Sequence, residues 1–266
     1  MKNKNQTPSK YFIFFNHQLL LIKNGDRYAL PDHNLVAENN LLSIGIHNKH
    51  HCFVLKVQSQ INMDSLHHWH PLRFSIENLE EKWHGVLARA YQILLWDMNH
   101  QFCGRCGKKT KLGAEKLERC CEHCHLSFFP KISPAVIVLI KKGKQILMAR
   151  AKHFPPGVYG LIAGFSEPGE TLEETISREV HEEVGLKVKN ICYVGSQPWP
   201  FPDSLMLAFT ADYDSGEISL NDGELEMADW YDFDKLPGKP SSLISIAYQM
   251  IDDFVCRCAL QIPDNG

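Results

Sequence analysis

Short apolar-rich runs over 11–15, 18–22 and 51–58 look like strands. A helical period follows. Leu79, Trp83, Val86, Leu87, Ala90 and Leu94 recur at three- and four-residue spacing and predict a helix over 77–99. Further along, strand signals stand at 135–140, 145–149 and 158–162. They are followed by a helix at 172–184, strands near 188–195, 205–213 and 227–233, and a closing helix at 243–256. Strands and helices mix without a regular βαβ rhythm, and no internal repeat or low-complexity segment is visible. The pattern predicts an α/β chain.

The 266 residues carry 28 Lys+Arg against 31 Asp+Glu, an ordinary globular balance. At roughly 100 to 200 residues per domain, the length allows one large domain or a few smaller ones. The longest apolar runs, such as 135–140, fall far short of the ~18 to 20 residues that cross a bilayer, so no membrane segment is expected. The opening MKNKNQTPSKYFIFF lacks the sustained apolar stretch of a secretory leader, and Pro263 to Gly266 form no retention address; a cytoplasmic protein is expected. A net charge of -3 gives no global reason to expect tight, sequence-blind nucleic-acid binding and leaves that role to a local patch.

Of nine cysteines, Cys103, Cys106, Cys121 and Cys124 form two C-x-x-C pairs with 14 residues between them. An odd total with clustered pairs suits a reducing compartment and a metal better than a disulfide framework. Each C-x-x-C turn aims two thiolates at one ion, and two turns complete the tetrahedron that zinc prefers. A closed shell of four thiolates leaves no position for water, which makes this a structural zinc, one per chain. Cys120 and His123 are alternatives to Cys121, but only Cys121 and Cys124 repeat the geometry of the first pair. Lys108, Lys109, Lys111, Lys116 and Arg119 surround the cluster and read as a solvated basic face. Upstream, His67, His68 and His70 alternate with Leu66 and Trp69; solvated or hydrogen-bonded histidines are expected there in preference to a metal site.

The most informative stretch runs from Gly164 to Leu186. Pro168 and Gly169 make a turn, Thr171 and Glu174 have capping-box spacing, and Gly185 ends the helix. On that helix Glu179 lies three and four residues before Glu182 and Glu183, so their carboxylates share a face. With no lysine at helical spacing, a hard divalent cation such as Mg²⁺ is the expected neutraliser, and Arg178 is expected to orient one carboxylate. The spacing G-x5-E-x7-R-E-U-x-E-E-x-G-U, with U aliphatic, is met by Gly164, Glu170, Arg178, Glu179, Val180, Glu182, Glu183, Gly185 and Leu186. It resembles a Nudix box, the signature of hydrolases that cut a nucleoside diphosphate linked to another group. The resemblance implies an α/β/α sandwich.

After the box, Ser196-Gln-Pro-Trp-Pro-Phe-Pro-Asp-Ser204 sets two aromatics in a proline frame, a rigid loop suited to stacking a flat base and unlike a central strand. It is similar to the SQPWPFPxS motif of the NADH pyrophosphatase family of Nudix hydrolases, which also carries a four-cysteine ribbon before its Nudix domain and a divergent domain before that. The resemblance implies an α+β domain at 1–97, a zinc ribbon at 98–132, a Nudix domain at 133–258 and a tail at 259–266. It implies metal-dependent hydrolysis of NAD(H) to nicotinamide mononucleotide and AMP, and in bacterial members removal of an NAD cap from RNA 5′ ends. The competing expectations are another Nudix substrate, such as ADP-ribose, or a non-catalytic nucleic-acid module.

Carried over residue by residue, Glu179, Glu183, Glu224 and the carbonyl of Ala163 would hold Mg²⁺ or Mn²⁺, and Glu182 would join in metal binding or water activation. Gln197, Pro198, Trp199, Pro200, Phe201, Pro202, Asp203 and Ser204 would line the dinucleotide site with Glu224, Ala247 and Phe129. Phe129 stands where the family commonly has tyrosine, and the usual acidic residue after the first knuckle is matched by Glu115 or, ungapped, by Lys116. Arg73 matches a family arginine only loosely. The family is generally dimeric, and Trp69, Trp83 and Trp96 suit a two-fold interface between copies, with burial in the chain's own core as the competing expectation.

Overall fold

The computed structural model describes residues 7–36, 41–60, 64–113, 117–220, 223–240 and 242–260. Its residues group into two compact units, Met1–Lys131 with Pro200–Asp203, and Ile132–Trp199 with Ser204–Gly266.

In the first unit, β1 (Ser9–Phe15) and β2 (Gln18–Asn24) form a hairpin closed by Asn16 and His17, both at positive φ. Strand β1 runs parallel to β5 (His50–Lys56), and β4 (Leu42–His47) pairs antiparallel on the outer side of β5. Both β3 (Arg27–Ala29) and β6 (His67–Pro71) pair with β2. Alternation along β1 sorts its side chains. Phe12 and Phe14 turn toward the rings of Trp83 and Tyr91, while Ile13 joins Leu20, Leu55 and Val57, with Trp69 packed against them.

The single helix expected over 77–99 is broken. The chain makes α1 (Leu72–Asn78), a 3₁₀ turn at Glu81–Trp83 and α2 (His84–Asn99). Leu79 and Glu80 are extended between them, with ψ of 157° and 138°. The His84 ring donates to the Leu79 carbonyl at 3.1 Å, satisfying an acceptor the break leaves open. Strand β6 was not expected, because His-His-Trp-His carries no clear strand signal; there His67 bonds Asp64 at 2.6 Å and the His70 ring stacks on Phe74. Trp83 and Trp96 are 4% and 3% exposed and belong to the chain's own core. They therefore lend no support to an interface between copies.

The cysteine module adds a three-stranded sheet, β7 (Lys111–Leu112), β8 (Arg119–Cys121) and β9 (Leu126–Phe128), in that order. Arg119 corrects the expectation of a solvated basic face, since it is only 6% exposed. Its guanidinium pairs with Asp97 of α2 and donates to Thr110 Oγ1 (3.0 Å), Gln101 Oε1 (3.1 Å) and the His100 carbonyl (3.2 Å). Glu115 and Lys116 lie outside the described residues.

In the second unit, β10 (Ser133–Lys142) forms a hairpin with β11 (Gln145–Ala151), runs parallel to β14 (Ser204–Ser215) and pairs antiparallel with β12 (Ile162–Phe165). The edges are β13 (Lys187–Trp199) beside β14 and β15 (Leu225–Asp232) beside β11. Val136, Val138 and Ile140 of β10 pack with Ile176, Val180 and Val184 of α3 (Leu172–Val184). Ile137 and Leu139 face the other way, toward Met250, Ile251 and Phe254 of α4 (Ile246–Leu260). Burying each such aliphatic side chain contributes about 1.5–3 kcal/mol, so the alternation of one strand fixes an α/β/α sandwich.

Two boundaries differ from expectation. The strand expected at 158–162 lies at 162–165, because Gly157 turns at φ 76° and residues 158 and 160 make only isolated bridges. Helix α4 starts at Ile246, where the Ser245 hydroxyl caps it by accepting the Tyr248 N–H at 3.2 Å. Among the described residues no helix is long and apolar enough to cross a membrane.

Candidate functional site

Helix α3 is locally determined at both ends. Glu174 N–H donates to Thr171 Oγ1 at 3.2 Å, Thr171 N–H donates back to Glu174 Oε2 at 2.8 Å, and Gly185 closes the helix at φ 71°. Its apolar stripe faces the sheet, leaving Glu183 buried at 7% exposure, Glu179 half-buried and Glu182 exposed.

Arg178 binds three carboxylates rather than the one expected. Glu170 takes Nε at 2.6 Å and Nη2 at 3.0 Å, Glu179 takes Nη1 at 2.8 Å and Glu182 takes Nη1 at 3.1 Å. Nη2 also reaches the Phe165 carbonyl at 2.9 Å, so one planar fork ties the end of β12 and the turn to the helix. The guanidinium, with help from the Glu167 N–H and the Thr175 hydroxyl, holds the Glu170 carboxyl at about 2. Glu179 moves the opposite way. Burial raises its pKa despite Arg178, and the charges of Glu182 and Glu224 push in the same direction. Carboxylates crowded this way, with one cation shared among three, are the donor set that a divalent ion relieves.

Gly164 explains the first position of the box. A Cβ there would lie 1.9 Å from the Glu179 carboxyl carbon, so the acid occupies the space a side chain would fill. Ala163, its neighbour on β12, is exposed and pairs with Ile137. Glu224 is exposed just before β15, and its carbonyl accepts the Lys152 N–H at 3.2 Å. Among the described residues, the box glutamates and Glu224 do not gather into a group of three with ligand atoms within 4.8 Å of one another.

The four cysteines do. Cys103, Cys106, Cys121 and Cys124 place their sulfurs within 4.8 Å of one another, and Cys106 and Cys121 are 3.6 Å apart. That is too long for a disulfide and close to the ~3.8 Å edge of a tetrahedron with ~2.3 Å metal–sulfur bonds. Cys120 instead faces Ser127, and His123 sits beside Lys108, so neither completes the group. Burial pushes the Cys103 thiol up, but the N–H groups of Arg105 and Cys106 and the neighbouring thiols outweigh it and bring it to about 7. Cys124 is pushed to about 12, first by the Cys106 thiol. A thiol cluster in which one member ionises readily and another resists fits a thiophilic cation.

The proline-framed segment is only partly a loop. Ser196 to Trp199 extend β13, with Gln197 opposite Met206 and Trp199 opposite Ser204. Because β13 is an edge strand, Pro198 sits where a missing N–H is tolerated. The Phe201–Pro202 peptide is cis. Residues Pro200–Asp203 group with the first unit, where the Arg73 guanidinium carbon lies 5.0 Å from the Phe201 ring centroid and Lys131 Nζ lies 3.9 Å from Asp203. Pro200 and Ser204 are buried, Trp199 half-buried, and Pro202 and Phe129 exposed. Gln197 is engaged at both ends of its amide, donating to the Ile244 carbonyl and accepting the Ile246 N–H, each at 2.8 Å. That anchors the start of α4 one residue before Ala247, which is half-buried.

Arg150 was not expected. It pairs with Glu226 and donates to the carbonyls of Phe154 (2.6 Å), Pro155 and Val158 (3.1 Å), shaping the loop before β12. A lone arginine at the end of a strand gives no sequence signal for such a clamp.

With this geometry in place, residues 131–254 match the NUDIX domain family and residues 8–96 match the NADH pyrophosphatase-like rudimentary NUDIX domain. The NAD-capped RNA hydrolase NudC of Chromobacterium violaceum is 41% identical over 92% of this chain and 91% of its own length. The NAD-capped RNA hydrolases NudC of Erwinia tasmaniensis and Pseudomonas aeruginosa are 46% and 42% identical, over 68% and 77% of this chain and 69% and 73% of theirs.

Proposed function

Since the chain belongs to the NudC family of Nudix hydrolases, we propose that it hydrolyses the pyrophosphate of NAD(H) to nicotinamide mononucleotide and AMP and removes the NAD cap from RNA 5′ ends. The observation that carries this reading is 41% identity to a NAD-capped RNA hydrolase along nearly the whole of both chains. The intact box, with Glu170 in the turn and Glu179, Glu182 and Glu183 on α3, supports an active enzyme.

Nudix hydrolases use divalent metals, which polarise a phosphoryl oxygen and lower the pKa of a bound water. In this proposal Mg²⁺ or Mn²⁺ would be held by Glu179, Glu183, Glu224 and the Ala163 carbonyl. Arg178 keeps the Glu179 and Glu182 carboxylates aimed from one side, which lowers the reorganisation needed when the substrate arrives. Glu182, the most exposed of the four box glutamates, would accept the proton of the attacking water. Trp199, Phe201 and Phe129 would offer flat faces to the dinucleotide, and Gln197 ties the end of β13 to the start of α4.

Zn²⁺, one per chain, would fill the four-cysteine group and serve the fold. We divide the chain into an N-terminal domain at 1–97, a zinc ribbon at 98–132, the Nudix domain at 133–258 and a tail at 259–266. The odd cysteine total with its clustered pairs supports a reducing, cytoplasmic setting. The homodimer rests on the family resemblance alone, and a single monomeric species in sedimentation equilibrium with full NADH turnover would remove it.

Side-by-side turnover of NADH, NAD⁺, ADP-ribose and NAD-capped RNA tests the reading. Cleavage of NADH and capped RNA ahead of ADP-ribose is expected. ADP-ribose as the preferred substrate would overturn it.

A further inference from the structure

We propose that the exposed rim of the cysteine module is a docking surface for single-stranded RNA, the strand that continues beyond the capped nucleotide. This deepens the capped-RNA reading, on which it rests for its setting.

Charge is concentrated in this module. Residues 98–132 hold seven Lys+Arg against three Asp+Glu, a net +4, whereas the chain totals -3, so everything outside the module sums to -7. Not all seven cations are available. Arg119 is buried against Asp97, and Lys111 is paired with Glu122 at 2.7 Å. Arg105, Lys108 and Lys109 are exposed, and none has a carboxylate partner among the described residues. Lys108 Nζ lies 3.0 Å from His123 Nδ1, a ring that carries no negative charge and so leaves the ammonium charge uncompensated.

Exposed aromatics lie among these cations. Phe102 is 64% exposed and directly opposes Lys109 in an antiparallel bridge, which puts a flat ring and an ammonium on the same side of the ribbon. Phe129, 57% exposed, follows β9, but Lys131 close by is paired with Asp203 at 3.9 Å and Phe129 is assigned to the dinucleotide site, so the ring and cation that count here are Phe102 and Lys109. A large apolar ring in water beside an unpaired cation suits a partner with both flat faces and negative charge. Single-stranded nucleic acid has both, because its bases are free to stack on rings while its phosphates meet cations. A duplex hides its base faces, and an acidic peptide has none.

The test uses the full-length, zinc-loaded protein and a short uncapped single-stranded RNA with a fluorescent label, read by anisotropy. Arg105→Gln with Lys109→Gln should weaken binding and lower the slope of log affinity against log salt by about 0.7 for each phosphate left without its cation. Phe102→Ala should weaken it roughly tenfold. In both variants zinc content and NADH turnover should stay at wild-type values, while the KM for capped RNA rises. Unchanged RNA affinity and salt slope would overturn the proposal, as would weakening limited to variants that also lose zinc. Equal weakening toward the same RNA in a duplex, or toward poly-glutamate, would replace base stacking with charge alone and overturn it too. If the wild type binds the uncapped strand but cleaves no capped RNA, the decapping reading fails and the surface stands.

Discussion

The two large sheets of this chain share a frame and differ in equipment. In the first unit the order β2-β1-β5-β4 places a parallel pair, β1 and β5, between a hairpin partner and an antiparallel edge. The second repeats it as β11-β10-β14-β13, with β10 and β14 as the parallel pair. No repeat is visible in the sequence, yet the topology repeats, and the first region matches a rudimentary NUDIX domain. What separates them is the chain before the edge strand. Residues 166–186 supply the turn, α3 and its acids, whereas residues 30–41 carry no helix among their described positions. The frame holds a core in both regions; on the proposed reading it is the insert that brings the chemistry.

The sharpest way to break that comparison is to remove one acid from the insert. Glu183→Gln should lower kcat by at least about a hundredfold while circular dichroism stays unchanged. Turnover near wild type would mean that the insert is not the seat of catalysis. Next in size is the module between the two sheets in sequence. Cys106→Ser should abolish bound zinc in elemental analysis and lower the melting temperature, and a full complement of zinc would place its ligands elsewhere.

A stability effect of about 3–5 kcal/mol is expected for Arg119→Ala in urea unfolding, because the change strands Asp97 and empties a buried polar site. Gly164→Ala should cost about 1–3 kcal/mol from crowding, with activity falling further because the displaced group is the Glu179 carboxylate. The smallest effect concerns pH. Glu170 is held at about 2 against an ordinary 4.5, so its contribution is full above 4.5 and is lost as pH falls toward 2. Glu170→Gln should flatten the stability profile in that window, and an unchanged profile would show that the Arg178 pairing carries no linkage.

Legibility followed locality. Helix α3 was readable to the residue because its apolar stripe, capping box and terminal glycine all lie within its own span. The cysteine pairs were readable for the same reason. Strand β6 was not, since His67 to His70 become a strand only by pairing with β2, far upstream. The break at Leu79 was hidden inside an apolar period that looked continuous. Arg119 reads as one of several surface cations, and its burial depends on Asp97 of α2, 22 residues away. Gly164 could be matched to a motif, but its reason, a carboxylate in the place of a side chain, appears only in three dimensions.

The amide of Gln197 makes the end of β13 and the first turn of α4 a single lever. Two hydrogen bonds from one short side chain mean that neither element shifts without the other. A ligand that stiffens the aromatic segment should therefore slow hydrogen exchange at the Ile246 N–H, and Gln197→Leu should uncouple the two. On the proposed reading, the start of the closing helix would report whether the dinucleotide site is occupied.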